Sequence, residues 1–345
     1  MYETFYGLSA KPFQLNPDPA FFFGSRGHKR AFAYLQYGVH QSEGFIVITG
    51  EIGAGKTTIV RNLFEHLDRD RLVAAQIVST QLDADDMLRS VAVAFGLPIR
   101  SVDKATLLAS LEAFLCKLAM DRKRALLVVD EAQNLTPRAI EELRMLSNFQ
   151  LGDQALLQSF LIGQPELRTM MQGEAMNQLR QRIIASYHLG PLDRSETKAY
   201  IEHRLAYVGW KGDPSFEPAT FDFIHSSTGG IPRRINTLCN RLLLAGFLGE
   251  KHIFNVVDVQ AIVHEIREEL GPEATLASVR SASLARPGVP IDNAGQSSAS
   301  PTEWSAHFSR IEERIERLEK TVGSAVGLLH EVLLREHSAK PGARR

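Results

Sequence analysis

The sequence predicts an α/β fold, a core built on a five-stranded parallel sheet, followed by a small all-helical domain and a C-terminal helix. Three observations predict it. Short, continuous apolar runs alternate with amphipathic stretches as far as residue 190, the pattern of strands buried on both faces and covered by helices. A glycine-rich octapeptide, Gly50-Glu51-Ile52-Gly53-Ala54-Gly55-Lys56-Thr57, stands between the first such run and a helix. Beyond Pro191 the strand signal stops and helical periodicity alone remains.

Residues 1–25 carry Pro12, Pro17, Pro19 and the run Phe21-Phe22-Phe23. The prolines bar a long helix and the aromatics argue against disorder, so an extended segment packed on the α/β core is expected. A helix follows over residues 27–40. Strands are expected at residues 45–48, 73–78, 125–129, 156–162 and 184–189, and helices at 56–66, 83–95 and 104–120. Thr136 and Pro137 open a further helix as its cap and first residue. Residues 26–190 are thus read as the α/β domain. Helices near 193–207, 218–225, 232–248 and 256–269 make residues 191–270 a helical domain without strands. Residues 271–302 fall into Ser, Ala, Pro and Gly, the composition of a flexible linker. In residues 303–336, Phe308, Ile311, Ile315, Leu318, Val322, Ala325, Leu329 and Val332 recur at spacings of three and four. That is a heptad seam, expected to form an amphipathic helix or coiled coil. Residues 337–345 are basic and read as a disordered tail.

Charge and composition exclude several classes. Lys and Arg number 39 against 40 Asp and Glu, a net charge of -1 over 345 residues, so no strong field draws in nucleic acid or an anionic membrane. Cys116 and Cys239 lie in apolar helical patterns without a CxxC partner and read as reduced thiols. No basic region precedes an apolar stretch at the N-terminus, and no apolar run nears the roughly 20 residues that span a bilayer. A cytoplasmic location without direct membrane insertion is expected, with recruitment to the inner membrane left to a partner. The 11 histidines form no HExxH pair, and none is read as a metal ligand.

The octapeptide matches GxxxxGK[ST] in the strand–loop–helix context that gives the motif its meaning. Its glycines let backbone N–H groups face phosphates, and the helix that starts at Lys56 adds its positive end. Lys56 is expected at the β- and γ-phosphates of ATP, Thr57 on Mg²⁺, and Thr58 beside them. Four apolar residues then place Asp130 at the end of a buried strand, where it can ligate Mg²⁺. Glu131, one residue on, can activate the attacking water. Gln164 ends another strand and could touch the γ-phosphate or that water. Arg180 or Arg182, before the last strand, could reach a neighbouring subunit's ATP. Arg233 opens a helix after Gly229-Gly230-Ile231-Pro232 and could swing to the phosphates.

In this order the motifs resemble the general secretion pathway protein A (ExeA-like) branch of AAA+ ATPases. The likeness rests on the phosphate loop, Asp130-Glu131-Ala132-Gln133, Ile162-Gly163-Gln164-Pro165-Glu166-Leu167 and Gly229-Gly230-Ile231-Pro232-Arg233-Arg234-Ile235-Asn236. Tyr6-Gly7-Leu8, Pro12-Phe13 and Asn16-Pro17-Asp18-Pro19 add to it. Within that branch the chain is similar to the ATPase found with the exosortase and PEP-CTERM sorting system of exopolysaccharide producers. The resemblance implies an AAA+ core with a helical lid, Gln164 as sensor 1, Arg233 as sensor 2, and Arg182 or Arg180 as arginine finger. A homo-oligomer, as an AAA+ assembly or a coiled-coil dimer, with a protein partner of an envelope export system is expected. Secretion pathway A proteins usually continue into a transmembrane helix and a periplasmic peptidoglycan-binding domain. Here the heptad segment follows instead, so cell-wall binding is not implied. An alternative of another class is a DNA-binding accessory ATPase of the transposition-helper type, which near-neutral charge disfavours. A nucleotide-gated scaffold without hydrolysis is disfavoured by Glu131.

Overall fold

The structure, a computed structural model, describes residues 1–283 apart from 17, 42, 79–81 and 99–102, and side chains as far as residue 269. Met1–Ser278 cluster into one compact unit. Most of the expected linker, the heptad segment 303–336 and the basic tail lie outside the described residues.

Five strands form one parallel sheet: β1 (Phe45–Gly50), β2 (Leu72–Val78), β3 (Arg124–Asp130), β4 (Leu157–Gly163) and β5 (Ile183–Leu189). Their order across it is β2-β3-β4-β1-β5. The position of each strand explains its composition. β1 and β4 are buried at every residue and β3 at all but Arg124, because each has a strand on either side and helices above and below. The edge strands β2 and β5 are only partly covered.

After a one-turn helix α1 (Tyr2–Phe5), helices α2 (Arg26–Gln41) and α3 (Lys56–His66) cover one face of the sheet. They share a core with Ile46, Ile48, Leu126, Val128 and Phe160. The opposite face, with Phe45, Val47, Leu127, Val129 and Leu161, packs against α4 (Ala84–Ala94), α5 (Lys104–Met120), α6 (Pro137–Leu146) and α7 (Pro165–Gln172). Adjacent strand residues thus serve opposite cores, as the two-residue period of a strand requires. Thr136 caps α6 as expected, its Oγ1 accepting from the Ala139 N–H at 3.1 Å. The four-residue α8 (Asn177–Arg180) leads into β5.

The helical part comprises α9 (Arg194–Tyr207), α10 (Pro218–Thr228), α11 (Pro232–Leu248) and α12 (Val256–Ser283). Two expectations are corrected here. A two-residue parallel pairing, Ser215–Phe216 with Ile253–Phe254, ties together the loops before α10 and α12. It is too short to register as strand periodicity. Helix α12 also runs past residue 269 into the stretch read as linker, where Ala274, Leu276, Ala277 and Arg280 are strong helix formers that outweigh Gly271 and Pro272.

The N-terminal segment is corrected as well. It was expected to lie extended on the α/β core; it contains α1 and chiefly completes the core of the helical part, while Phe22 packs against the α/β core. Tyr2, Tyr6, Leu8, Phe13 and Phe21 share one apolar cluster with Leu205, Ile235, Leu242 and Phe254. Tyr2 Oη donates to Asn240 Oδ1 (2.7 Å), the Ser9 N–H to Val208 O (2.9 Å), and Arg204 Nε to Pro12 O (2.6 Å). Four helices enclose too little apolar surface to close a core unaided, and the aromatics at the chain start fill the gap. Cys239 is buried in that cluster and Cys116 half-buried; both are free thiols.

Phe13 is 1% exposed. Phe13→Ala is expected to destabilise the unit by about 3–5 kcal/mol, the usual result of emptying a buried aromatic site. Urea unfolding checks this, and a loss below about 1 kcal/mol would contradict the packing described.

Candidate functional site

The octapeptide crosses from β1 to α3 at the carboxyl end of the sheet. Gly53 (φ 81°) and Gly55 (φ 99°) adopt left-handed backbone that strains any other residue. Space is equally restrictive. A Cβ on Gly53 would lie 2.3 Å from Cβ of Arg233, and one on Gly55 would lie 2.6 Å from Nε2 of His28. The loop is therefore pressed between the first turn of α11 and the start of α2.

Lys56 opens α3 and is 7% exposed. Its Nζ donates to the carbonyls of Gly50 (2.7 Å) and Glu51 (3.0 Å). Burial pulls its pKa down, while Glu131 and Asp130 work to hold it up. Asp130, at the end of β3, is 3% exposed. Its Oδ2 accepts from Thr57 Oγ1 at 3.1 Å and its Oδ1 from the Glu131 N–H at 3.0 Å. Burial raises its pKa above the ordinary carboxylate value, against those donors and Lys56. A hydroxyl and a carboxylate side by side are hard oxygen donors, which fit Mg²⁺. Thr57 and Asp130 would hold such an ion. Among the described residues no three His, Cys, Asp or Glu gather as a metal cage. The remaining ligands would then be water and phosphate oxygens, as Mg²⁺ prefers.

Glu131 sits in left-handed backbone (φ 54°, ψ 38°), a conformation that costs a non-glycine residue on the order of 1 kcal/mol. Its Oε2 accepts from Gln133 Nε2 (2.6 Å) and Gln164 Nε2 (3.0 Å). The Gln164 N–H in turn donates to Gln133 Oε1 (2.9 Å). Burial works against the charge on Glu131, but the two amides and Lys56 outweigh it and hold the pKa below its usual value. Glu131 is therefore an ionised carboxylate in a fixed pose.

A cavity of about 440 Å³ opens over the loop, within the range that suits a small-molecule ligand. Gly53, Gly55, Lys56, Thr57, Thr58 and Glu131 form one side, and Gln14 and Asn16 of the N-terminal segment another. Arg204 of α9 and Arg233 and Asn236 of α11 close it. The Arg233 N–H donates to Gly53 O at 3.1 Å, so the helical part is joined directly to the phosphate loop.

Of the residues singled out in the sequence, the loop, Asp130, Glu131, Gln164 and Arg233 converge here. Arg180 and Arg182 do not. The register sets Ile183 opposite Phe45 at the start of β1, roughly 20 Å of strand from the loop. Arg180 donates to Gln172 O (2.9 Å) and Arg182 to Ser147 Oγ (2.8 Å).

Sequence reasoning missed three contributors. Gln133 stands in the Asp130-Glu131-Ala132-Gln133 motif, which was its only signal. Arg204 gave none. Neither did His28, which lies under the loop: Nδ1 is 2.7 Å from Ser25 Oγ and Nε2 is 3.1 Å from Ala54 O. Because Ala54 O can only accept, Nε2 carries the proton. Burial lowers the pKa, so the ring is neutral and Nδ1 accepts from Ser25.

Residues 39–171 match the AAA domain family. Fold, loop and acidic strand end together define the fold class: a P-loop NTPase core of the AAA type. The chain is 39% identical over 268 residues to general secretion pathway protein A of Aeromonas hydrophila. That match takes in 77% of this chain and 48% of the relative, so the chain spans about half the relative's length. In three dimensions it is similar to the ORC2 protein of Aeropyrum pernix (TM-score 0.56, 19% identity, 74% of this chain and 72% of that one). It is also similar to the ORC1 protein of the same organism in complex with DNA (TM-score 0.54, 16% identity, 74% and 69%). At that identity the likeness is one of fold.

The His28 ring makes the loop's support sensitive to pH. The folded state prefers the neutral ring, so the unfolded chain takes up the proton first. The stability His28 contributes is complete above its unfolded pKa near 6.5 and is lost as the pH falls below that value toward the depressed folded one. Between about pH 7.5 and about pH 5.5 the urea midpoint should fall less in His28→Gln than in the wild type. Equal falls would exclude this titration.

Proposed function

We propose that this chain is a Mg²⁺-dependent ATPase that acts as a switch or motor on a protein assembly in envelope secretion or exopolysaccharide export. The observation that carries the hydrolytic reading is Glu131: an ionised carboxylate held by two amides, beside the Thr57–Asp130 pair and on the wall of the phosphate-loop cavity. A site built only to hold nucleotide has no use for it.

On ATP binding Lys56 exchanges the carbonyls of Gly50 and Glu51 for the β- and γ-phosphates, and the N–H groups of residues 53–57 turn to phosphate oxygens. Mg²⁺, when bound by Thr57 and Asp130, supplies charge neutralisation of those oxygens. Glu131 takes a proton from the attacking water, and Gln164 keeps both in line. Arg233 follows the loop through its bond to Gly53 and reports the state of the γ-phosphate to the helical part. The two should therefore change angle with the nucleotide.

The link to secretion rests on the Aeromonas relative, and the narrower placement beside an exosortase system on the motif resemblance alone. The protein works at the cytoplasmic side, brought to the inner membrane by its partner. Among the described residues no helix is long and apolar enough to cross a membrane. The DNA-binding alternative is not favoured: the sequence relative is named for secretion, and the DNA-bound neighbour shares the fold alone.

Lys56→Ala should abolish measurable ATP binding by calorimetry. Glu131→Gln should bind normally and hydrolyse at least about a hundredfold more slowly, the scale of a lost general base. Unchanged ATP affinity in the first, or near wild-type turnover in the second, would refute the respective role.

Arg180 and Arg182 lie too far from their own loop to serve it, which supports service to a neighbouring copy in a homo-oligomer. Arg180→Ala or Arg182→Ala should bind ATP without hydrolysing it, and mixing with Lys56→Ala chains should restore some turnover, because mixed sites then hold one intact half from each. No recovery with either arginine would exclude the arrangement in trans.

A further inference from the structure

At the amino-terminal end of the sheet, away from the phosphate loop, lies a second cavity of about 600 Å³. Its floor is apolar: Val39 from the end of α2, and Leu67 and Leu72 on either side of the turn into β2, all half-buried. Its rim carries three arginines, Arg71, Arg122 and Arg124, with Asp68 as the single lining carboxylate. Three positive charges against one leave the lining at +2, in a chain whose net charge is -1. Arg71 directly precedes β2 and Arg124 opens the adjacent strand β3. Leu72 stands opposite Arg124 in the β2–β3 register, and the Arg124 N–H donates to Arg71 O at 2.9 Å. The sheet thus sets the backbones of these two arginines side by side, and Arg124 Nη1 reaches His40 O at 3.5 Å.

Arg122 arrives differently. It closes α5 in a Schellman motif: its N–H donates to Ala119 O (3.0 Å) and that of Lys123 to Leu118 O (2.8 Å). The motif puts residue 122 in left-handed backbone, φ 57°, where glycine is the unstrained choice. Helix α4 ends with the same pair of bonds and does use glycine, Gly96. Strain alone assigns nothing, since Glu250 closes α11 in the same way. What sets Arg122 apart is that its side chain completes a cavity already lined by two other arginines. No ion pair or side-chain hydrogen bond within the described residues engages it, while Arg71 has only a long, exposed pair with Asp68 at 3.6 Å, worth little in water.

We propose that this cavity binds an acidic segment of a partner protein, with carboxylates on the arginine rim and an apolar side chain on the Val39–Leu67–Leu72 floor. The guanidinium fork matches carboxylate geometry in a way that lysine does not, and the rim holds no lysine. The cavity is concave and part apolar, which suits a peptide better than the flat face of a bilayer. His40 is the one aromatic ring in its lining, too little for a platform on which bases stack. It stands apart from the ATP site, so an ATPase needs no movement of the loop to hold a partner here.

The test uses the full chain without nucleotide and a fluorescein-labelled synthetic peptide of glutamate and leucine, followed by anisotropy. Binding is expected, weakened at least about tenfold in Arg71→Gln/Arg124→Gln, the loss of about 1.4 kcal/mol of charge-assisted contact. Arg122→Gly should weaken it too while raising Tm by about 2 °C, because the left-handed strain is released. ATP affinity should stay unchanged in all variants, which separates this site from the phosphate loop. Three outcomes would overturn the proposal: no peptide binding, binding indifferent to the arginines, or a Tm that falls in Arg122→Gly. So would arginine-dependent binding of duplex DNA or phosphatidylglycerol vesicles in place of the peptide.

Discussion

Lys56 places a full positive charge where 7% of its surface meets water, and the mouth of the cavity is organised around that ammonium. Losing hydration costs several kcal/mol unless acceptors replace it. Two loop carbonyls do so directly, and Asp130 and Glu131 contribute their fields. Asp130 is buried and Glu131 half-buried, and donors meet both: Thr57 and a backbone N–H for Asp130, two amides for Glu131. One cation and two anions make a site of net negative sign. A polyphosphate would add more negative charge, and that would give a divalent ion beside Thr57 its electrostatic reason. Every element that shapes the loop, from Arg233 pressed on Gly53 to His28 under Gly55, maintains this balance by fixing where the donors point.

The α/β part was legible because its signals are local. Continuous apolar runs at residues 45–48 and 125–129 became central strands, and the glycine spacing of the loop states its own backbone requirement. Asp130 could be placed because a buried strand must end somewhere, and its carboxylate marked the end. What escaped depends on tertiary geometry. The role of Gln133 rests on the left-handed turn at Glu131, which a glutamate does not announce. The run Phe21-Phe22-Phe23 shows that the N-terminal segment is packed, yet aromatics carry no address: Phe21 and Phe23 went to the helical part and Phe22 to the α/β core. His28 supports the loop through a neutral ring, indistinguishable in sequence from any helical histidine. The pairing of residues 215–216 with 253–254 is shorter than any period can detect.

The helical part and the loop share one mechanical connection through the backbone of Gly53 and Arg233. Glycine at 53 keeps the two within van der Waals contact, so a shift of the loop by even a few tenths of an ångström is felt by α11. A second contact, Arg26 with Asp193 and Glu196, ties the start of α2 to the capping box of α9. The N-terminal segment lies over both, its carbonyls at Pro12 and Gln14 held by Arg204 from α9. The cavity is thus walled by three stretches that are far apart in sequence.

That threading has a temporal side. Tyr2 leaves the ribosome 238 residues ahead of its partner Asn240. At roughly 5–20 residues per second, the aromatic segment waits on the order of 10–50 s before the helices it completes exist. During that interval Tyr2, Tyr6, Phe13 and Phe21 are exposed apolar side chains on a nascent chain whose sheet can already form. The core of the helical part can therefore close only when residues 2–21 return to helices made much later, and until then the cavity lacks one of its walls.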